Sequence, residues 1–155
     1  MEVRRILYPT DFSAHSVCAL AYARELAARF GAELHCVHVV DEMYQVWPGA
    51  SETAMTAWAP LEEMVGAARK QMESFLGEHF GEARGQVRSS VICGRPFLDI
   101  LRYAREQKIE LIVIATHGRG ALASMLLGSV AEKVVRKAAC PVLTVRHPEQ
   151  RYEAF

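Results

Sequence analysis

Apolar and polar positions follow two alternating rhythms along the chain. Val3 to Tyr8 is a short apolar run ended by Pro9 and predicts a strand. From Phe12 onward Val17, Leu20, Ala21, Ala23, Leu26, Ala27 and Phe30 recur near the helical period, and Gly31 supplies a C-terminal stop. A second strand is predicted over Glu33–Val40, ELHCVHVV, and helical spacing returns through Leu61, Met64, Val65, Ala68, Met72, Phe75 and Leu76. QVRSSVIC (Gln86–Cys93) predicts a third strand, and Pro96, tolerated in a first helical turn, opens the helix PFLDILRYAREQ. ELIVIAT is continuously apolar, as a parallel strand buried on both faces requires. A last helix over about Ser129–Ala138 and a fifth strand in PVLTVR complete the series.

Strands alternating with helices predict an α/β fold, an open five-stranded parallel sheet with helices on both faces. Right-handed crossovers that wind first one way from the first strand and then the other give the order 3-2-1-4-5 as the simplest Rossmann-like topology. All 155 residues are read as one domain (1–155). Ligands of open α/β sheets bind beyond the carboxyl ends of the strands where winding reverses, here between strands one and four. The segments facing that crevice are PTDFS (residues 9–13) and THGRG (residues 116–120).

Gly118 and Gly120 free the backbone for close approach to a ligand or for a turn, and Gly128-Ser129 lies where the last helix begins. A helix N-terminus offers unpaired N–H groups and the positive end of a dipole, which favours phosphate. Ser129 and Glu132 also match an S-x-x-E capping box, which would satisfy the same groups without a ligand. Asp11 has two readings as well, a ribose hydroxyl or metal-bound water on one side and the cap of the first helix on the other. His117 is placed to contact a phosphate or to act as an acid or base, but no triad with it is evident.

Half the residues are hydrophobic, and the 18 basic and 18 acidic residues cancel. That balance provides no field for polyanions, so nucleic acid is excluded as the expected partner. No apolar run has the length of a membrane span and the N-terminus lacks a signal-peptide pattern, so a cytoplasmic location is expected. Cys18, Cys36, Cys93 and Cys140 are widely spaced among apolar neighbours and are expected to be buried reduced thiols, with neither a catalytic nor a metal-binding role.

RRILYPTDFS, HVVDE, G-R-P after strand three and LLGSVAEKVVRKAACPVLTVR stand in the order found in the universal stress protein family, which the chain resembles over nearly its whole length. ATP-binding members carry G-x-x-G, nine residues, then G-[ST]. Gly118, the nine residues to Leu127 and Gly128-Ser129 reproduce all but the first position, which is Ala115. The resemblance implies an adenine nucleotide alpha hydrolase-like fold and a stress-response regulatory protein that binds ATP, with AMP or ADP as alternatives, together with Mg. It places the adenine near Pro9, Thr10, Asp11 and Val39 and the phosphates along Gly118, Arg119, Gly128, Ser129 and Val130, with Ala115, Thr116 and His117 as further members of the nucleotide site. No catalytic residue is implied, and any ATP hydrolysis or autophosphorylation is expected to be slow.

Adenylating enzymes on related folds carry S-G-G-x-D-S or H-x-G-H; PTDFS and His117-Gly118 match neither, which favours binding and regulation over synthesis. A family member without nucleotide binding, acting as a dimeric interaction module, is the other alternative, and Ala115 is its support. Pro141 suits a strand start or an edge strand. The resemblance implies that Val142, Leu143, Thr144 and Val145 pair antiparallel with a second copy in a homodimer. The long connection from Asp41 to about Ala59, with Tyr44, Trp47, Pro48, Gly49 and Trp58, has the length of a functional or packing loop.

Overall fold

A computed structural model describes residues 2–42, 60–117 and 127–147. The elements run β1 (Arg5–Pro9), α1 (Ala14–Phe30), β2 (Glu33–Asp41), α2 (Leu61–Phe80), a 3-10 turn (Gly81–Gln86), β3 (Val87–Gly94), α3 (Pro96–Glu106), β4 (Leu111–Ala115), α4 (Ser129–Lys137) and β5 (Val142–Val145). The five strands form one parallel sheet in the order β3-β2-β1-β4-β5, as the alternating pattern predicts. Pro9 is the last residue of β1, opposite Val37, rather than the residue that stops it. A proline is accommodated there because the next backbone N–H, that of Thr10, donates to the Val37 carbonyl at 2.9 Å.

The period of two along each strand separates two cores. Ile6, Tyr8, Leu34, Cys36, Val113, Ala115 and Val145 face Ala19, Leu20 and Ala23 of α1 and Met72, Phe75 and Leu76 of α2. Leu7, Val37, Ile112 and Ile114 face Ile100 and Ala104 of α3 and Ala131 and Val134 of α4. The small side chains on the buried stripe of α1 let that helix lie close over β1 and β4, next to the reversal of winding. Gly31, with φ 63°, ends α1 in the left-handed region that a Cβ disfavours.

His35 is the buried exception in β2. Its side chain is fully enclosed, between Tyr103 Oη at 3.0 Å and the Glu33 carboxylate at 3.1 Å. Burial holds its pKa below the usual imidazole value, and the neutral ring satisfies both partners by donating from Nε2 to Glu33 and accepting from Tyr103. The cysteines are free, but only Cys36 is buried; Cys18, Cys93 and Cys140 are half-buried. Burial pushes the Cys36 thiol up to about 12, so it stays protonated and serves as a small apolar group.

Candidate functional site

The crevice at the reversal of winding is floored by the carboxyl ends of β1 and β4 and bounded by the segments that follow them. On the β1 side, Thr10 is buried and fixed through every polar atom. Its N–H donates to Val37, its Oγ1 lies 3.0 Å from Ser16 Oγ and accepts from Phe12 N at 3.0 Å, and its carbonyl accepts from His38 Nδ1 at 2.8 Å. Asp11 does not cap α1. The cap is Ser13, whose hydroxyl accepts from Ser16 N, while Asp11 Oδ1 accepts from both the N–H (3.0 Å) and the hydroxyl (2.5 Å) of Ser13. Asp11 is two residues too early for the cap position, and an Asx-type turn uses it to orient the residue that caps. Tyr8 then ties β1 to the helix by donating its hydroxyl to the Ser16 carbonyl at 2.9 Å. Burial outweighs these bonds and raises the Tyr8 pKa, so that hydroxyl remains a donor.

On the β4 side, Thr116 and His117 are both buried, and His117 Nδ1 lies 3.0 Å from Thr116 Oγ1. The Thr116 N–H donates to Val145 at 2.8 Å, and its carbonyl accepts from Gly128 N at 2.6 Å. This bond draws the start of α4 back onto the end of β4, so closely that a Cβ on residue 128 would stand 3.1 Å from the Thr116 oxygen. Glycine at 128 thus eases the approach of two backbones, where a Cβ would force the Thr116 carbonyl to give by a few tenths of an ångström.

Gly128 itself takes the cap position of α4, with φ −66° and ψ 155°, and among the described residues no side chain caps the helix. The S-x-x-E capping box is overturned: Ser129 is the first helical residue, one position too late, and Glu132 turns to Arg136 at 3.3 Å instead. The amino end of α4 thus presents the exposed Ser129 with no capping hydroxyl from the described residues over its N–H groups, while Val130 packs half-buried against the α3–α4 core.

Ala115 is a strand residue paired with Val145 and is not among the described residues with positive φ; its side chain belongs to the α1–α2 core. An extended backbone makes no demand for glycine there, so the methyl is accommodated in the protein's own core. Val39 lies two residues beyond the point where β2 pairs with the end of β1, which leaves it at the mouth of the crevice, half-buried against the α3 side. Pro9, Thr10, Asp11, Val39, Ala115, Thr116, His117, Gly128, Ser129 and Val130 therefore all lie at the carboxyl edge of the sheet. Gly118, Arg119, Gly120 and the aromatic connection 43–59 lie outside the described residues.

Phe12, Ser16 and His38 belong to the same construction and were missed by the sequence pattern. Phe12 has φ 63° without being glycine, and its ring lies against His38 (centroids 4.4 Å apart) and Phe75 (5.4 Å). A left-handed φ has no marker in the sequence, and His38 reads as an ordinary polar position in a strand; only the serines of DFSAHS, ahead of an apolar helical run, announced a capping turn.

A second concavity, of about 240 Å³, opens at the opposite edge between α3 and the α4–β5 connection, lined by residues that include Leu101, Ala104, Arg105 and Cys140. It shares no residue with the crevice. Among the described residues no group of three or more His, Cys, Asp or Glu side chains is arranged to hold a metal ion, and no helix is long and apolar enough to cross a membrane.

The model of the universal stress protein family matches residues 2–146. Universal stress protein MJ0531 of Methanocaldococcus jannaschii is 32% identical over 147 residues, covering 95% of this chain and 84% of its own. The solved structure of MJ0577, from the same organism, superposes with a TM-score of 0.78 at 29% identity, over 96% of this chain and 99% of that one. A universal stress protein solved in complex with cAMP has the same fold, with a TM-score of 0.60 at 23% identity over 94% and 98% of the two chains.

Proposed function

The chain belongs to the universal stress protein family, and from that premise we propose that it is a regulatory protein that binds an adenine nucleotide, ATP by preference over ADP or AMP, in the crevice between β1 and β4. The observation that carries this reading is the start of α4. Its N–H groups emerge at the switch point with no side-chain cap among the described residues, held against β4 by the Gly128–Thr116 hydrogen bond, across from a β1–α1 turn in which the polar atoms of Thr10 are already engaged. An anion completes the first arrangement, and the second is a rigid wall that requires no rearrangement on binding.

In this reading Pro9, Thr10, Asp11 and Val39 surround the base and sugar. The phosphates meet Ser129, Val130 and Gly128 together with Gly118 and Arg119, and Ala115, Thr116 and His117 form the floor. Magnesium enters with the nucleotide as the counter-ion of its phosphates. The fold neighbour in complex with cAMP supports the capacity of this architecture to hold an adenine nucleotide. Ala115, the departure from the glycine motif, is compatible with the site because its methyl lies in the α1–α2 core.

Calorimetric titration of the nucleotide-stripped protein with ATP and magnesium tests the reading. Saturable binding of one nucleotide per chain is expected, and absence of saturation at millimolar ATP would leave the interaction module as the better account.

The regulatory unit in this proposal is a homodimer formed through β5. That strand is at the sheet edge, with β4 as its neighbour, and Leu143 is 37% exposed on it beside Val142, Thr144 and Val145. An edge of this composition invites strand addition by a second copy. Leu143→Asp is expected to halve the mass seen in sedimentation; a variant that keeps the dimer mass would refute pairing through this strand.

A further inference from the structure

Phe12 is one of two described non-glycine residues in the left-handed region, and it stands inside the turn that walls the crevice. A residue with a Cβ holds that conformation only where its surroundings determine it from several sides. Here the turn is held at both ends by one side chain from β2. His38 lays its ring at a tilt against Phe12, with centroids 4.4 Å apart, and donates from Nδ1 to the carbonyl of Thr10 at 2.8 Å. Thr10 closes the loop by accepting the Phe12 N–H on its own hydroxyl at 3.0 Å, and Phe75 backs the Phe12 ring from α2. The residue between the two gripped positions is Asp11, and the residue after His38 is Val39.

We propose that His38 is a positioning residue for the nucleotide site: by gripping Thr10 and Phe12 together, it sets Asp11 relative to Val39 in the geometry that receives the base and sugar. The inference rests on the nucleotide reading above and adds to it a residue that does not itself meet the ligand. Without His38 the Thr10 carbonyl loses its donor, Phe12 loses one wall of its pocket, and the left-handed residue is free to revert to the common region of backbone space. Such a reversal swings the Asp11 side chain away from the end of β2.

Two variants separate the grip from mere filling of space. His38→Leu keeps bulk and removes the donor, whereas His38→Asn places an amide N–H near the position of Nδ1. Expected for His38→Leu are an ATP dissociation constant raised about tenfold, the scale of one lost hydrogen bond, and hydrogen exchange at the Phe12 amide accelerated about tenfold without nucleotide. His38→Asn is expected to restore both to within about threefold of the parent protein, which a purely structural role of the ring would not do. Native ATP affinity together with unchanged Phe12 exchange in His38→Leu would overturn the proposal, as would equal loss in the two variants. If the parent protein bound no ATP, the nucleotide reading would fall, and the exchange rates measured without nucleotide would still decide whether His38 holds the turn.

Discussion

Each edge of the sheet uses a carboxylate to accept backbone N–H groups, but the two stand in different surroundings. At the amino edge Glu110 Oε2 accepts from Arg4 N at 2.6 Å and Arg5 N at 3.0 Å, out at the surface, and the Arg5 guanidinium beside it donates to the Gln107 carbonyl at 3.0 Å. At the carboxyl edge Asp99 Oδ2 accepts from Arg95 N at 2.7 Å while only 5% exposed, with Arg102 as its ion-pair partner. Water replaces a lost partner at the first site and has little access to the second, so the same bond is inexpensive to lose at one edge and costly at the other. The carboxyl edge also buries Thr10, Ser16, Thr116 and His117. Polar groups so placed are held in one arrangement, which suits a surface that must be shaped before a ligand arrives.

The largest effect expected from this contrast is at Gly94. A Cβ there would collide with the Asp99 carboxylate, so Gly94→Ala must expel the side chain that closes the start of α3. A loss of about 3 kcal/mol is expected, the sum of local strain and an unseated buried carboxylate, read as a lower urea midpoint at unchanged slope. A change below about 0.5 kcal/mol would mean that Asp99 finds an equivalent seat nearby, and the contrast between the edges would collapse.

The smallest effect is at Glu110. The N–H of Arg4, aided by that of Arg5 and by the two guanidinium groups, holds its carboxyl below the ordinary glutamate value of 4.5. A depressed carboxylate stabilises the fold fully above its unfolded pKa, and that contribution drains away as pH falls below 4.5 through the lower folded value. Glu110→Gln should therefore shift the denaturation midpoint slightly at neutral pH, converge with the parent protein in acid, and leave ATP binding untouched. A midpoint difference that persists in acid would show that the contact does not depend on the charge.

Element identity was legible because burial imposes periodicity. A parallel strand covered on both faces must read like Leu111–Ala115, and a helix lying on a sheet must repeat as Ala68, Met72, Phe75 and Leu76 do. Strand order followed from the handedness of crossovers, and with it the location of the crevice. The capping roles were read one or two residues out of register. Asp11, Ser13, Gly128 and Ser129 are all plausible caps by type, and the choice among them depends on where the chain leaves its strand.

Sequence alone determined the layered α/β architecture, the family and the edge at which a ligand would sit, since these depend on patterns repeated over many residues. Tertiary structure decided the details on which function turns. Gly128 meets a tight approach of the Thr116 carbonyl that a Cβ would press against, and Ala115 is harmless because its methyl enters the core. Phe12 holds a left-handed backbone because His38, Phe75 and Thr10 surround it. Each depends on atoms brought together from separate strands and helices, and no local pattern of residues records such distances.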